Sequence, residues 1–490
     1  MTILASKYVL LHNSTDELQA VPAFITIKNT LIEKVELVEI ENYQLKVIEY
    51  SNNPQIKLFD FSESFVSPAA INCHTHLALN FLRGFSLNKA IQQNIIENLF
   101  YAAEENLTYE DVYAFAKMGA YESLMNGTGL VWDHYYFGKA VAQAIQDVGL
   151  CGVVSPTLQD ISGPGCKNTE NAISDTIDLT GTIWSENCIY AAFGPHATDT
   201  VSTNLWKRIH NYSQTHNIPV HSHIAQTIEE TQRCLERHNQ NPLTYLQSVG
   251  ILDSNIKSLL VHGIYINNAE LSSVRENKNC ALVFCPYSQL IFQFPANAIA
   301  WEQNQVKWFV ATDCGASNDT MNPWSELRFI AGLPSLNSAV SSEFINFMNS
   351  NDTHLSKNAL EKFSELKNKN NALLQTFQNP HSLLNRILKG PGSHHNAFIA
   401  GTIAPGALAN ICIWNRNHAA FWPPHNPARS LAFCDASPAL AGLMTRGKWI
   451  GALKNGYPQS PSELTHTTEF KHAHKEAEIR LANLFARTFQ

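Results

Sequence analysis

Hydrophobic positions fall into two textures along the chain. Up to about residue 64, short runs alternate apolar and polar residues between turns: Lys7–Leu11, Ala23–Lys28, Ile32–Val38 and Leu45–Tyr50. That texture predicts short strands. From about 65 the apolar runs are more continuous: Phe65–Cys73, Gly129–Tyr135, Gly149–Thr157, Ile189–Gly194, Ile218–Ile224, Ser258–Ile264, Ala281–Cys285 and Val306–Thr312. They predict buried strands. Amphipathic stretches between them, Thr108–Asn126, Lys139–Val148, Thr203–His216 and Ile228–Ser248, predict helices. Thr108, with Asp111 three residues on, predicts a capping box opening the first of these. Eight strands alternating with helices predict an α/β fold, a (β/α)8 TIM barrel.

Residues 336–395 are polar and helical in pattern (Ser342–Met348, Lys357–Phe377), and Pro391-Gly392 closes them. Strand texture returns near 397, at Phe398–Ala400, Ala409–Trp414, Leu431–Phe433, Ala441–Met444 and Lys448–Ile450. The two ends of the chain are therefore expected to build one small β domain from residues 1–64 and 396–460. It flanks a barrel over 65–395, with a terminal helix over 461–490 packed outside.

Composition narrows the partners. The chain of 490 residues carries a formal charge of −8, and no block of lysines or arginines offers the basic face that nucleic acid needs. Ten cysteines are scattered without a Cys-x-x-Cys pair, as in a reduced, cytoplasmic protein. The run Met1–Leu11 is too short for a signal peptide, and no apolar stretch reaches membrane-spanning length, so no membrane partner is expected.

The chemistry lies at the strand ends. Catalytic groups of a (β/α)8 barrel sit at the C-terminal face of its strands. Strand one ends in His74 and His76, strand four in His196, strand five in His221 and His223, strand six in His262 and strand eight in Asp313. On a strand, residues two apart share a face, so His74 and His76 project together. Imidazoles and a carboxylate are the donors that zinc and ferrous iron accept in hydrolytic sites. Three histidines and one aspartate leave room for a water, whose pKa a bound cation lowers toward neutrality.

These stretches resemble the amidohydrolase superfamily, and within it the aminohydrolase/chlorohydrolase group of cytosine, guanine and methylthioadenosine/S-adenosylhomocysteine deaminases and triazine hydrolases. The resemblance rests on Asn72-Cys73-His74-Thr75-His76 with Phe81-Leu82-Arg83-Gly84, on Gly194-Pro195-His196-Ala197, and on His221-Ser222-His223-Ile224-Ala225. It continues through Val261-His262-Gly263, Ala311-Thr312-Asp313 with Ala316-Ser317-Asn318, and Ile403-Ala404-Pro405-Gly406-Ala407-Leu408-Ala409-Asn410. It implies a β-sandwich formed by both termini beside the barrel. It also implies one divalent metal, zinc or else ferrous iron, held by His74, His76, His223 and Asp313. One ion is expected because strand four lacks the lysine that bridges two metals in some relatives. His262 would face the attacked carbon, Asp313 would take the proton of the water, and His196 would contact the substrate. Relatives are often dimers, so a homodimer is the expected assembly around a small-molecule substrate.

One departure bears on the reaction. The group carries a proton-shuttling glutamate three residues after the strand-five ligand, where this chain has Gln226. An amide hydrogen-bonds but transfers no proton near neutral pH. Glu229 and Glu230 are expected to turn away at a solvated helix start. The expected activity is an aminohydrolase, hence a deaminase, of a small heterocycle. The alternatives are hydrolysis of a carbon–halogen bond or of another carbon–nitrogen bond, or a catalytically weak relative that binds metal and a small molecule. Cys285-Pro286-Tyr287-Ser288-Gln289 replaces a pocket-mouth motif of the group, and Ala409-Asn410 a structural Ala-Asp. Leu79, Phe81, Arg83, Trp132, Tyr135 and Tyr136 are further candidates for the pocket, the aromatic ones suited to stacking on a planar ring.

Overall fold

The computed structural model of the protein describes residues 1–85, 94–292, 295–339, 345–346, 348–349 and 357–488. Strands β1 (Thr2–His12), β2 (Leu18–Lys28) and β3 (Leu31–Leu37) pair antiparallel in sequence order, and β4 (Lys57–Asp60) and β5 (Ser64–Pro68) run parallel to β1. The chain then leaves this sheet. The expected run Phe65–Cys73 divides at Ala69: its first half is β5, and its second half begins β6 (Ala70–Thr75).

β6 pairs in parallel with β7 (Thr128–Tyr135), β7 with β8 (Cys151–Leu158), and β8 with both β9 (Ile189–Ala191) and β10 (Gly194–Pro195). A second parallel sheet follows, of β11 (Val220–Ile224), β12 (Ser258–His262), β13 (Cys280–Phe284) and β14 (Trp308–Val310). The two sheets meet at both edges, through single bridges between Phe193 and Val220 and between Thr75 and Asp313. Side chains from these strands, among them Ile71, Leu130, Val153, Leu259, Val283 and Phe309, pack into one apolar cluster enclosed by the two sheets. Helices cover the outside. The one over Tyr109–Met125 begins in the expected capping box, with Thr108 Oγ1 accepting from Asp111 N at 3.2 Å and Asp111 accepting from Thr108 N at 3.0 Å.

The chain returns to the first sheet as β15 (Ile411–Asn415), antiparallel to β5, followed by β16 (Leu440–Thr445) and β17 (Lys448–Trp449). Both termini therefore share one eight-stranded sheet. Asn410 ties it to the parallel strands: its side chain donates to Gly129 O at 3.3 Å and accepts from Arg446 N at 2.9 Å.

Three expected strands are not strands. Leu45–Tyr50 lies in a helix over Tyr43–Ser51, which buries Tyr43 and Val47, four residues apart, on one face. Leu431–Phe433 ends a helix over Pro427–Phe433, capped by Asn426 accepting from Arg429 N. Phe398–Ala400 is loop. The helix expected over Ser342–Met348 lies largely outside the described residues, while those over Lys357–Phe377 and near the C-terminus (Thr468–Thr488) form. No helix among the described residues is long and apolar enough to cross a membrane.

Candidate metal centre

At the C-terminal ends of the parallel strands, the histidines named from the sequence converge. His74 Nε2 and His76 Nε2 lie 3.5 and 3.3 Å from Asp313 Oδ1, and His223 Nε2 lies 3.2 Å from His76 Nε2. Adjacent ligands of a zinc ion with bonds of about 2.0–2.1 Å lie roughly 2.9–3.6 Å apart, with four ligands or with more. The observed spacings match, so this donor set fits one such ion.

What aims these nitrogens is the other side of each ring. His74 Nδ1 lies 2.9 Å from His221 Nε2, whose own Nδ1 lies 2.9 Å from Ser155 Oγ. His76 Nδ1 donates to the carbonyl of His134, and His223 Nδ1 donates to that of His196 at 2.9 Å. His74, His76 and His223 thus each have Nδ1 engaged and Nε2 turned inward, the arrangement that fixes tautomer and aim where such a ring binds a metal. His221, one pleat below His223, turns its Nε2 to His74 Nδ1.

Two side-chain pairs lock the first strand to the last. Asn72 Nδ2 donates to Thr312 Oγ1 at 2.7 Å, and Thr312 N donates back to Asn72 Oδ1 at 3.0 Å. Asp313 N donates to His74 O at 3.1 Å. Both Asp313 (φ 67°) and His262 (φ 77°) sit in the left-handed region, which residues other than glycine rarely adopt and which clusters at functional sites. Asp133, fully buried, accepts from Thr75 Oγ1 at 2.9 Å and Leu77 N at 2.6 Å, and so shapes the turn that presents His76.

Burial sets the charges. It pushes His74 down to about 4 and His196 and His262 to about 3, and holds His76, His134, His221 and His223 below their ordinary value. All are neutral near pH 7, as metal ligands must be. Burial alone would raise the Asp313 carboxyl. His74, His262 and His76 outweigh it and hold that carboxyl well below the usual range. Asp313 Oδ2 accepts from Ser288 Oγ at 2.6 Å, and His262 Nε2 lies 4.0 Å from the same oxygen.

Above the donors is a cavity lined by His76, His134, His196, His223, Gln226 and Asp313. Phe100, Tyr101, Tyr135 and Tyr136 wall it, with Glu104 among them. Glu104 is 8% exposed and burial raises its carboxyl to about 7, against the Tyr135 hydroxyl beside it. It stands on the segment Ile96–Glu104, for which the sequence pattern predicted no element.

The remaining expectations divide. Leu79, Tyr135, Tyr136, His196 and Gln226 line the cavity. Trp132 does not: it points into the apolar cluster below, edge-on to His221. Arg83 pairs with Glu122 at 2.6 Å and is absent from the lining. Phe81 stacks on Phe115, behind the wall. Ser288 and Gln289 are fully buried, not at a pocket mouth. Ser288 holds Asp313, while Gln289 donates to His262 O at 3.3 Å. Glu230 is not solvated either. Only 3% exposed, it turns back to accept from Gln226 N and Thr198 Oγ1, both at 2.8 Å, and so braces the loop carrying Gln226. Its carboxyl is raised to about 7 by burial and by Asp199.

His134 went unnoticed between the aromatic residues singled out around it. The signal was the period of β7: Leu130 and Trp132 point inward, so the next inward residue is His134, at the strand's metal end.

Comparison with known proteins agrees with this geometry. The model of the Amidohydrolase family matches residues 65–450. The chain belongs to that family. It is 25% identical over 330 residues to a 5-methylthioadenosine/S-adenosylhomocysteine deaminase of Thermodesulfovibrio yellowstonii, covering 67% of this chain and 73% of the relative. It is 27% identical over 312 residues to a 5'-deoxyadenosine deaminase of Methanococcus aeolicus, covering 61% and 71%. Among solved structures, an adenosine deaminase from Xanthomonas campestris with bound zinc superposes with a TM-score of 0.79 at 18% identity, over 99% of this chain and 98% of that one.

Proposed function

We propose that the protein is a zinc-dependent aminohydrolase that removes an amino group from a small nitrogen heterocycle of the adenosine type. As an amidohydrolase it acts on carbon–nitrogen bonds other than peptide bonds. The observation that carries the reading is the convergence of three Nε2 atoms and one carboxylate oxygen at the base of an aromatic-walled cavity. Its relatives are named as deaminases of adenosine-like compounds. The supporting bridges at both sheet edges also favour one closed eight-stranded barrel, with the terminal sheet as part of a β-sandwich.

His74, His76, His223 and Asp313 would hold one divalent cation, which supplies Lewis acidity and lowers the pKa of a water. Asp313 Oδ2, free of the His74 and His76 contacts and steadied by Ser288, accepts the proton of the attacking water. His262, beside that oxygen, donates a hydrogen bond to charge developing on the attacked carbon's substituent. Tyr101, Tyr135 and Tyr136 stack against or edge onto a planar ring and keep water out. His196, its Nδ1 3.1 Å from Thr200 Oγ1, offers its other nitrogen to the substrate. Gln226 hydrogen-bonds a ring nitrogen without protonating it. An adjoining depression shares Glu104, Tyr136 and Thr157 with the cavity and accommodates a substituent on the ring.

Gln226 also favours a second reading, hydrolysis of a carbon–halogen bond, whose leaving group departs without being protonated. The zinc-loaded protein should be assayed for ammonia release from aminopurine nucleosides and aminopyrimidines, and for chloride release from chlorotriazines. Ammonia release by the native chain supports the deaminase, whereas release by Gln226→Glu alone, a gain of about 10²–10⁴-fold, overturns it. Chloride release alone replaces it with the second reading, and silence of both proteins on every substrate sinks both.

A further inference from the structure

His134 is the last inward-facing residue of β7 and only 1% exposed. Its Nδ1 lies 3.1 Å from Thr157 Oγ1 on the neighbouring β8. Its Nε2 is buried and has no hydrogen-bond partner among the described residues. Buried polar atoms are nearly always partnered, and one that is not asks for an explanation such as an ion. The surroundings supply one. Nitrogens of His134, His76 and His223 lie within 4.8 Å of one another. The His134 ring centroid is 4.8 Å from that of His223 and 5.8 Å from that of His76. The same residue already orients His76 through its carbonyl.

We propose that His134 is a further protein ligand of the metal, a fourth imidazole on the cavity side of the ion held by His74, His76, His223 and Asp313. The proposal rests on the reading of those four residues as a single-ion centre. The hydroxyl of Thr157 takes the Nδ1 proton and leaves the Nε2 lone pair facing the centre, the tautomer that binds metal. Neutral imidazole is a good donor for zinc and for ferrous iron.

X-ray absorption on the zinc-loaded protein counts imidazoles at the ion, and competition with a chelator gives its affinity. Four imidazoles are expected in the native chain and three in His134→Phe, with zinc affinity reduced about 10–100-fold. Thr157→Val keeps the ring but frees its Nδ1, and should weaken zinc in the same direction by a smaller factor. Cobalt substituted for zinc gives an independent readout: its visible absorption should intensify in His134→Phe as the coordination number falls. Three imidazoles in the native chain, or an affinity and cobalt spectrum unmoved by His134→Phe and by Thr157→Val, would overturn the proposal. Should His134→Phe fail to fold, the native count and Thr157→Val decide it. A native chain that binds no zinc at all would instead remove the single-ion reading beneath it, and the proposal with it.

Discussion

The Nδ1 of His74 lies 2.9 Å from the Nε2 of His221, so a histidine outside the proposed donor set orients one within it. Removing such a support lowers metal affinity by about 10–100-fold while the ligands themselves remain. His221→Ala should therefore lose zinc to a chelator at lower concentrations than the native chain. His223→Ala, which deletes a donor, should lose it more readily still. Equal affinities for His221→Ala and the native chain would show that His74 needs no such support.

Arg83 leads to the opposite expectation. Its guanidinium is engaged with Glu122, about a third of its side chain is exposed, and it stands away from the cavity. Exposed ion pairs contribute on the order of 0–1 kcal/mol. Arg83→Met should leave KM for any substrate unchanged and lower stability by less than about 1 kcal/mol. A several-fold rise in KM would place Arg83 in substrate binding after all.

Gly119 sits where the helix over Tyr109–Met125 crosses the segment following His76. A Cβ there would lie 2.4 Å from Leu77 O, a backbone atom that cannot swing aside. Overpacking of this kind costs about 1–3 kcal/mol. Gly119→Ala is expected to lower the urea midpoint accordingly, and to weaken zinc binding if the strain passes through Leu77 to His76.

Acid should destabilise the protein through histidines far from the ion. His394 and His395 are buried and held at about 3 and about 4 by burial. His394 Nε2 lies 3.0 Å from Ser258 O. Their folded values lie below the unfolded one of about 6.5, so the unfolded chain binds more protons as pH falls. Their contribution is fully present above about pH 6.5 and is lost toward pH 4, by up to about 1.4 kcal/mol per pH unit for each. Buried Glu104 and Glu230, raised to about 7, act oppositely over part of that range, since their contribution is lost as pH rises toward 7. The comparison that isolates the histidine is therefore His394→Gln against the native chain. Its stability should fall less steeply between pH 6.5 and 4, and parallel curves would refute the assignment.

Much of this was legible in the order of residues, because ligands at strand ends announce themselves by type. His74, His76, His223 and Asp313 stood among seven candidates at strand ends, resemblance singled them out as the metal donors, and the structure brings their donor atoms together. Pattern failed where two periods compete. Tyr43 and Val47 fit a helical face as well as a strand, and packing on Phe24 decided for the helix. Among the cavity residues, Trp132 was chosen for its aromatic type, but the pleat of β7 turned it into the apolar cluster and put His134 at the centre. Glu230 was assigned to water on the strength of its place in a first helical turn. A carboxylate there can also fold back onto the loop before it, and this one does. Glu104 had no signature, since nothing local marks a segment that covers a cavity formed by distant strands.

The pairing of Asn72 with Thr312 spans 240 residues of chain. On its two sides stand the earliest and the latest of the four donors. A nascent polypeptide therefore offers any ion three histidines without the carboxylate until the final strand has docked beside the first. Tight zinc binding is in this sense a mark of a completed fold, and a chain truncated before Asp313 should hold zinc more weakly than the full chain however well its earlier strands assemble.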